Sequence, residues 1–251
     1  MLPEPRPVQT ELHPPLLHRR LERAVALFEV LLCSSVPTQV VVASLLAAFG
    51  LAAETPGGGL ASEFVLLLSL GDSVLLIGLM LLLLRVHGET PGALWRGHRP
   101  ARREVLLGLA LVPLVFVMVV VLLLLIRQYL PWLHNVPDNP LEQIATGGAR
   151  DAAILGVVAV VGGGVREELQ RAFLLRRFER HLGGATVGVV VLSTAFGLGH
   201  LMQGWDAAIV TGALGALWAV VYLRRRSSVA PIVSHAGFNG LEVLRVAIGG
   251  S

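Results

Sequence analysis

The stretch VLLGLALVPLVFVMVVVLLLLI, residues 105–126, decides the fold class, because it contains no ionisable group. A bilayer core about 30 Å thick is crossed by roughly 20 helical residues, so this run is long enough to span and too apolar to lie on a soluble surface. It is not isolated in the chain. Of 251 residues, 54% are hydrophobic and only 15% charged, and the mean hydropathy is +0.72. Those values exclude an ordinary soluble domain. The expected fold is all-α, a polytopic helical membrane protein with about seven (seven to eight) transmembrane helices.

Working outward from 105–126, further apolar segments cover about 24–53, 63–84, 185–202, 207–223 and 229–249. Another starts near Arg150, passes Gly162, Gly163 and Gly164, and ends in a charged stretch near His181. The first segment should bend at Ser34-Ser35-Val36-Pro37, since proline donates no N–H. Residues 1–23 read as a flexible cytoplasmic arm: they are proline-rich at the start and lack the apolar core of a cleavable signal. Residues 24–149 then hold three transmembrane helices and their loops. A second unit, 150–249, holds the rest.

The net charge is +3 and every basic residue counted under Lys+Arg is arginine, a bias associated with GC-rich bacterial genomes. Arginines cluster at Arg19, Arg20 and Arg23, at Arg85 to Arg103, at Arg176, Arg177 and Arg180, and at Arg224 to Arg226. The loops between carry Glu54, Asp138, Glu142, Asp206 and Arg150. Arginine-rich short loops stay in the cytoplasm, so the N-terminus is expected there, in a bacterial cytoplasmic membrane. The positive charge therefore serves the bilayer, and no nucleic-acid partner is expected. Cys33 is the only cysteine, which leaves it as lipid- or core-facing filler.

Ionisable residues inside membrane segments are expensive and mark candidate sites. Glu29 and Asp72 are isolated in their segments and read as structural contacts to neighbouring helices. His134 and Asn135, beside Trp132, read as interfacial. The second half differs: Glu167-Glu168-Leu169-Gln170-Arg171, Phe196 followed by His200, and His235 followed by Asn239 fall in three separate hydrophobic segments. With Gly183-Gly184 as the tip of a helical hairpin, Glu167 and His200 lie equally far from it, roughly 24 Å at about 1.5 Å per residue. His235 and Asn239, four apart, share a helix face. Pro231 just before them is expected to open the start of that helix.

A glutamate, two histidines and an asparagine suit peptide hydrolysis by either of two paths. In one, His200, His235 and Glu167 bind a divalent metal such as zinc, which activates its water. In the other, Glu167 with His200 activates water directly, while His235 and Asn239 stabilise the oxyanion. Gly197, Gly199, Gly212 and Gly215 read as sites of close helix packing, and Trp205 and Trp218 as interfacial or packing residues.

Residues 152–241 resemble the CAAX protease and bacteriocin-processing family of intramembrane proteases (CPBP, or Abi), relatives of the Ras-converting CAAX endopeptidase. That family's signature is Glu-Glu-x-x-x-Arg, Phe-x-x-x-His and His-x-x-x-Asn or Asp on successive membrane helices. Phe196 to His200 and His235 to Asn239 match it, whereas only two residues separate Glu168 from Arg171 where the family has three. Aligning the glutamates, the resemblance implies an endopeptidase core over 150–249 in which Glu167 activates water with His200, and Glu168, Arg171, His235, Asn239 and Phe196 support it. The implied substrate is a peptide or membrane protein cut near the cytoplasmic face, lipid-modified in eukaryotic members. Peptide maturation, bacteriocin immunity and turnover of membrane regulators are all compatible with it. The alternatives are a non-catalytic scaffold or immunity factor of the same fold, to which the shortened glutamate motif points, and a transporter using Glu29, Asp72 and the glutamates.

Overall fold

A computed structural model describes residues 16–136 and 139–249; residues 1–15 of the expected arm, and Asp138, lie outside them. Eleven α-helices follow one another: α1 (Leu16–Leu32), α2 (Val36–Ala48), α3 (Ser62–Val86), α4 (Pro91–Trp95), α5 (Ala101–Tyr129), α6 (Pro140–Thr146), α7 (Ala149–Val158), α8 (Glu167–His181), α9 (Ala185–Leu198), α10 (Trp205–Arg225) and α11 (Val229–Gly249). A π-helical segment, Ala159–Arg166, joins α7 to α8. The only β-pairing among the described residues is an isolated bridge between Glu54 and Leu60, so the all-α reading holds.

Among the described residues four segments are long and apolar enough to cross a bilayer: His18–Ala48, Ser62–Val86, Ala101–Tyr129 and Trp205–Arg225. The other three segments read from the sequence are helical too, but α9 has only 14 residues and the helix through α8 is heavily charged. On α5 the side chains Leu106, Leu109, Leu114, Val117, Val120 and Leu124 all point away from the protein. Such a belt is stable against hydrocarbon and not against water. The protein is an integral membrane protein.

The first apolar segment breaks where Pro37 predicts it. Ser35 caps α2 with φ 73°, a left-handed conformation uncommon outside glycine. Side chains of the α7 to α8 helix hold the break in place: Gln170 donates to the Cys33 carbonyl at 2.7 Å and to Ser35 Oγ at 3.0 Å, and Arg166 donates to the same hydroxyl at 2.5 Å. Cys33 is core-facing, in a buried cluster with Leu76, Met80, Leu84, Phe173, Leu175 and Tyr222. That cluster joins α3, α8 and α10 to the break. Residues Leu16 to Arg23, inside the segment read as the arm, are already helical as part of α1.

The hairpin between α8 and α9 turns at Gly183 and Gly184, with φ 97° and 95°. Close approach governs the packing of α11: a Cβ on Gly164 would fall 2.6 Å from Ala236 Cα, and one on Gly108 would fall 2.8 Å from the Ala230 carbonyl oxygen. The glycines therefore set how near α11 comes to the π segment and to α5. Gly197 and Gly215 play the same part between α9 and α10, against the Ala208 carbonyl and the Phe196 ring.

The arginine-rich loops gather at one end of the bundle. There Arg225 pairs with Glu104, Arg226 with Glu179, and Arg177 with both Glu29 and Glu89. Glu29, which also meets His87 at 2.5 Å, is thus a contact between helices, as read. At the opposite end Asp206 holds Arg127 and His134, Asn135 Oδ1 accepts from the Trp205 backbone N–H, and Arg150 pairs with Glu63. His134 and Asn135 are thereby tied to the start of α10, while Trp132 is exposed.

Two outcomes follow. Gly164→Ala should destabilise the protein by about 1–3 kcal/mol through overpacking against backbone, read as a lower thermal midpoint in detergent. Burial alone would raise the Glu89 carboxyl, but the hydrogen bond and charge of Arg177, with the charges of Arg180 and Arg176, outweigh it and hold it below the usual carboxylate range. Its folded value lies below its unfolded value, so its stabilisation is full above about pH 4.3 and disappears as pH falls through the folded value. The gap in thermal midpoint between the native protein and Glu89→Gln should therefore close on acidification, and a gap independent of pH would contradict the assignment.

Candidate active site

Helix α8 opens with the glutamate pair, immediately after a π segment whose wider turn presents these side chains toward α11. Irregular turns of this kind recur at functional sites. Glu168 is 2% exposed. Its Oε1 accepts from the Arg171 guanidinium, one turn later, and faces His235 Nδ1 at 2.8 Å. Since an ionised carboxylate only accepts, the proton between them belongs to Nδ1.

His235 is held on its faces as well. The Trp218 indole stacks on it with centroids 3.8 Å apart and planes at 17°, and Phe196 stands edge-on at 6.1 Å. Arg171 closes the group by lying over Phe196 at 4.7 Å and Trp218 at 5.7 Å, contacts that favour the cation. With its orientation fixed in this way, His235 turns Nε2 toward Glu167 Oε2, 4.0 Å away. Glu167 is the less buried glutamate, its side chain 18% exposed. Its other oxygen accepts from Arg166 Nη2 at 3.0 Å. Arg166 also pairs with Asp72 at 3.1 Å, and Asp72 accepts the Thr38 hydroxyl. Asp72 is thus the contact between helices that the sequence suggested, reaching from α3 to the glutamate pair.

His200 is placed differently. Helix α9 ends at Leu198, and His200 lies in the turn before a short 3-10 segment, with Nδ1 bonded to the Phe196 carbonyl at 2.8 Å. Its ring stands 4.9 Å from that of Phe196, so Phe196 lies against both histidines. Among the described residues no hydrogen bond or ion pair joins His200 to either glutamate. His200 thus lies beside Phe196 as the equal spacing from the hairpin tip suggests, but α9 stops two residues short of it. Asn239 donates its amide to the Ala159 carbonyl at 3.1 Å, at the start of the π segment, where the widened turn calls for an outside donor.

A divalent metal such as zinc needs at least three protein ligands gathered around one point. Among the described residues no group of three His, Cys, Asp or Glu side chains stands close enough to hold one. The residues as placed do not make the three-ligand site of the zinc path.

The structure therefore brings Glu167, Glu168, Arg171, His235 and Phe196 together, with His200 at the edge and Asn239 supporting the backbone. Sequence reading assigned Arg166 no part in the site and left Trp218 as an interfacial or packing residue, whereas the structure packs Trp218 on His235. An arginine directly before two glutamates in an apolar segment was a readable signal; a tryptophan in a helix that faces its neighbours at every turn was not. Pro231 is fully buried in the first turn of α11, where proline costs no hydrogen bond.

Residues 149–241 match the family model described as Type II CAAX prenyl endopeptidase Rce1-like, and the resemblance read from the sequence is borne out over that stretch. The matched residues run from α7 into α11 and include every member of the motif set. Helices α1 to α6 fall outside them. No curated protein and no solved structure matches the chain. The family is one of proteases, which supports a membrane endopeptidase.

Glu168→Gln keeps the shape and removes the charge opposite Arg171. Breaking one side of a buried pair costs about 3–5 kcal/mol, so this variant should unfold at a markedly lower temperature in detergent, whereas Glu242→Gln in the exposed pair with Arg245 should leave the midpoint unchanged.

Proposed function

We propose that the protein is an intramembrane endopeptidase in which Glu167 is the general base. The observation that carries this reading is the placement of Glu167 Oε2 against His235 Nε2 at 4.0 Å, each group fixed from behind by a different partner. Two atoms that far apart can share one water, each within hydrogen-bonding distance of it. Glu167 takes a proton from that water as its oxygen attacks a peptide carbonyl carbon. The carbonyl becomes an oxyanion, the C–N bond breaks, and the proton passes to the leaving amine.

His235, rather than His200, is the imidazole that faces the base. Glu168 fixes its tautomer and stabilises the imidazolium when Nε2 carries the proton toward the amine. The Asn239 amide serves a backbone carbonyl, and His200, on the other side of Phe196, donates its Nδ1–H to the Phe196 carbonyl, so it serves the oxyanion through Nε2 only as the imidazolium. The arginine-rich end faces the cytoplasm by the positive-inside rule, and a substrate peptide or membrane-protein segment, with or without a lipid group, reaches the site from that leaflet.

A second reading, a scaffold without catalysis, draws on the completeness with which Glu168 and Asn239 are satisfied inside the protein. One experiment separates the two: cleavage of a mixed library of prenylated and unmodified membrane peptides by purified protein and by Glu167→Gln, with and without a chelator and with metal content measured. Removing a general base should lower turnover by about 100- to 10,000-fold while the thermal midpoint holds. Cleavage abolished by the chelator would replace the metal-free path with a metal one. A well-folded native protein that cuts nothing in the library would favour the scaffold.

A further inference from the structure

We infer that Asp72 and Arg166 form a positioning pair for Glu167, so that a helix outside the family-matched stretch tunes the reactive carboxylate; the inference rests on Glu167 being the base. Arg166 stands between two carboxylates. Nη1 serves Asp72 Oδ2 at 3.1 Å and Ser35 Oγ at 2.5 Å, and Nη2 serves Glu167 Oε1 at 3.0 Å. A guanidinium presents a planar fork that grips a single carboxylate with two parallel bonds when it can. Here Asp72 and Ser35 occupy one arm of the fork, Nη1, Glu167 receives Nη2 alone, and the buried Nε has no partner among the described residues, so the guanidinium grips neither carboxylate with two bonds. One oxygen of Glu167 is anchored while Oε2 stays turned to His235.

Asp72 can hold its arm because it is fixed in turn. It is 1% exposed on α3, and Oδ1 accepts the hydroxyl of Thr38 on α2. A cation over the catalytic carboxylate would ordinarily draw both oxygens to itself and weaken it as a base. By holding Nη1, Asp72 fixes the guanidinium in an orientation that offers Glu167 only Nη2. Remove the charge of Asp72 and the guanidinium, then held only through Ser35, is free to turn two N–H groups to Glu167, which closes into a two-bond pair and swings Oε2 off the shared water. The same logic gives a purpose to the broken first segment, whose left-handed Ser35 supplies the hydroxyl on that arm.

The test is steady-state cleavage by Asp72→Asn, Asp72→Glu and the double variant Asp72→Asn with Glu167→Gln, using whichever library peptide the native protein cuts. Asp72→Asn should lower kcat by up to about 100-fold, the scale of displacing a catalytic group by an ångström, with KM unchanged because no substrate contact is lost. Asp72→Glu should recover part of the loss. Asp72→Asn should add nothing further on the Glu167→Gln background, where the carboxylate it protects is gone. Native turnover in Asp72→Asn, or a loss that multiplies that of Glu167→Gln, would overturn the pairing. If Asp72→Asn does not fold, Thr38→Val serves instead: it removes only the hydroxyl that holds Asp72 and should give a smaller kcat loss, again absent on Glu167→Gln. Full activity in Glu167→Gln would sink the base assignment itself, a result distinct from an inactive Glu167→Gln beside an undisturbed Asp72→Asn.

Discussion

A charged side chain inside hydrocarbon must find its partner within the protein, and the contact between Glu168, Arg171 and His235 is where this chain meets that demand most fully. Glu168 and Arg171 alone would be a local affair within one helix. By accepting from His235 as well, Glu168 ties α8 to α11, and the aromatic rings that enclose the group come from α9 and α10. Four helices therefore share one register. Sliding α11 by a turn would part His235 from Glu168, and sliding α9 or α10 would strip the rings from His235 and Arg171, in a medium that supplies no substitute partner.

Such a contact requires backbones to come close, and lipid provides little drive to bring apolar helices together. The glycines answer this requirement. Gly163 and Gly164 admit Asn239 and Ala236 of α11 against the π segment, and Gly215 admits the Phe196 ring against α10. The widened turn that follows from this packing leaves the Ala159 carbonyl in need of a donor, and Asn239 fills it. Small residues, an irregular turn and a polar side chain form one arrangement, whose product is the orientation of the glutamates.

A second polar group extends the first toward the N-terminal helices. Asp72, Thr38 and Ser35 lie outside the stretch that matches the protease family, yet through Arg166 they stand one side chain from Glu167. The helices before residue 149 thus do more than anchor the chain in the bilayer. The left-handed residue that breaks the first apolar segment is also a hydrogen-bond acceptor for the helix carrying the site.

Much of this was present in the sequence. Helix positions follow from runs such as residues 105–126, because backbone groups in a bilayer have no satisfactory alternative to the helix; the bend before Pro37 and the turn at Gly183 and Gly184 follow from local backbone preferences. The identity of the reactive set was legible too, since carboxylates and histidines in apolar segments are too costly to be incidental. What only the tertiary structure decided is which of them meet. Arg171 was in reach of either glutamate and chose Glu168; Glu167 faces His235 and not His200, because α9 ends at Leu198 and Phe196 intervenes; and Asp72 became Arg166's partner. Spacing along a helix fixes depth and face, but pairing depends on how the helices rotate and how closely they approach, and those are set by glycines, ring stacking and the π segment acting together across the bundle.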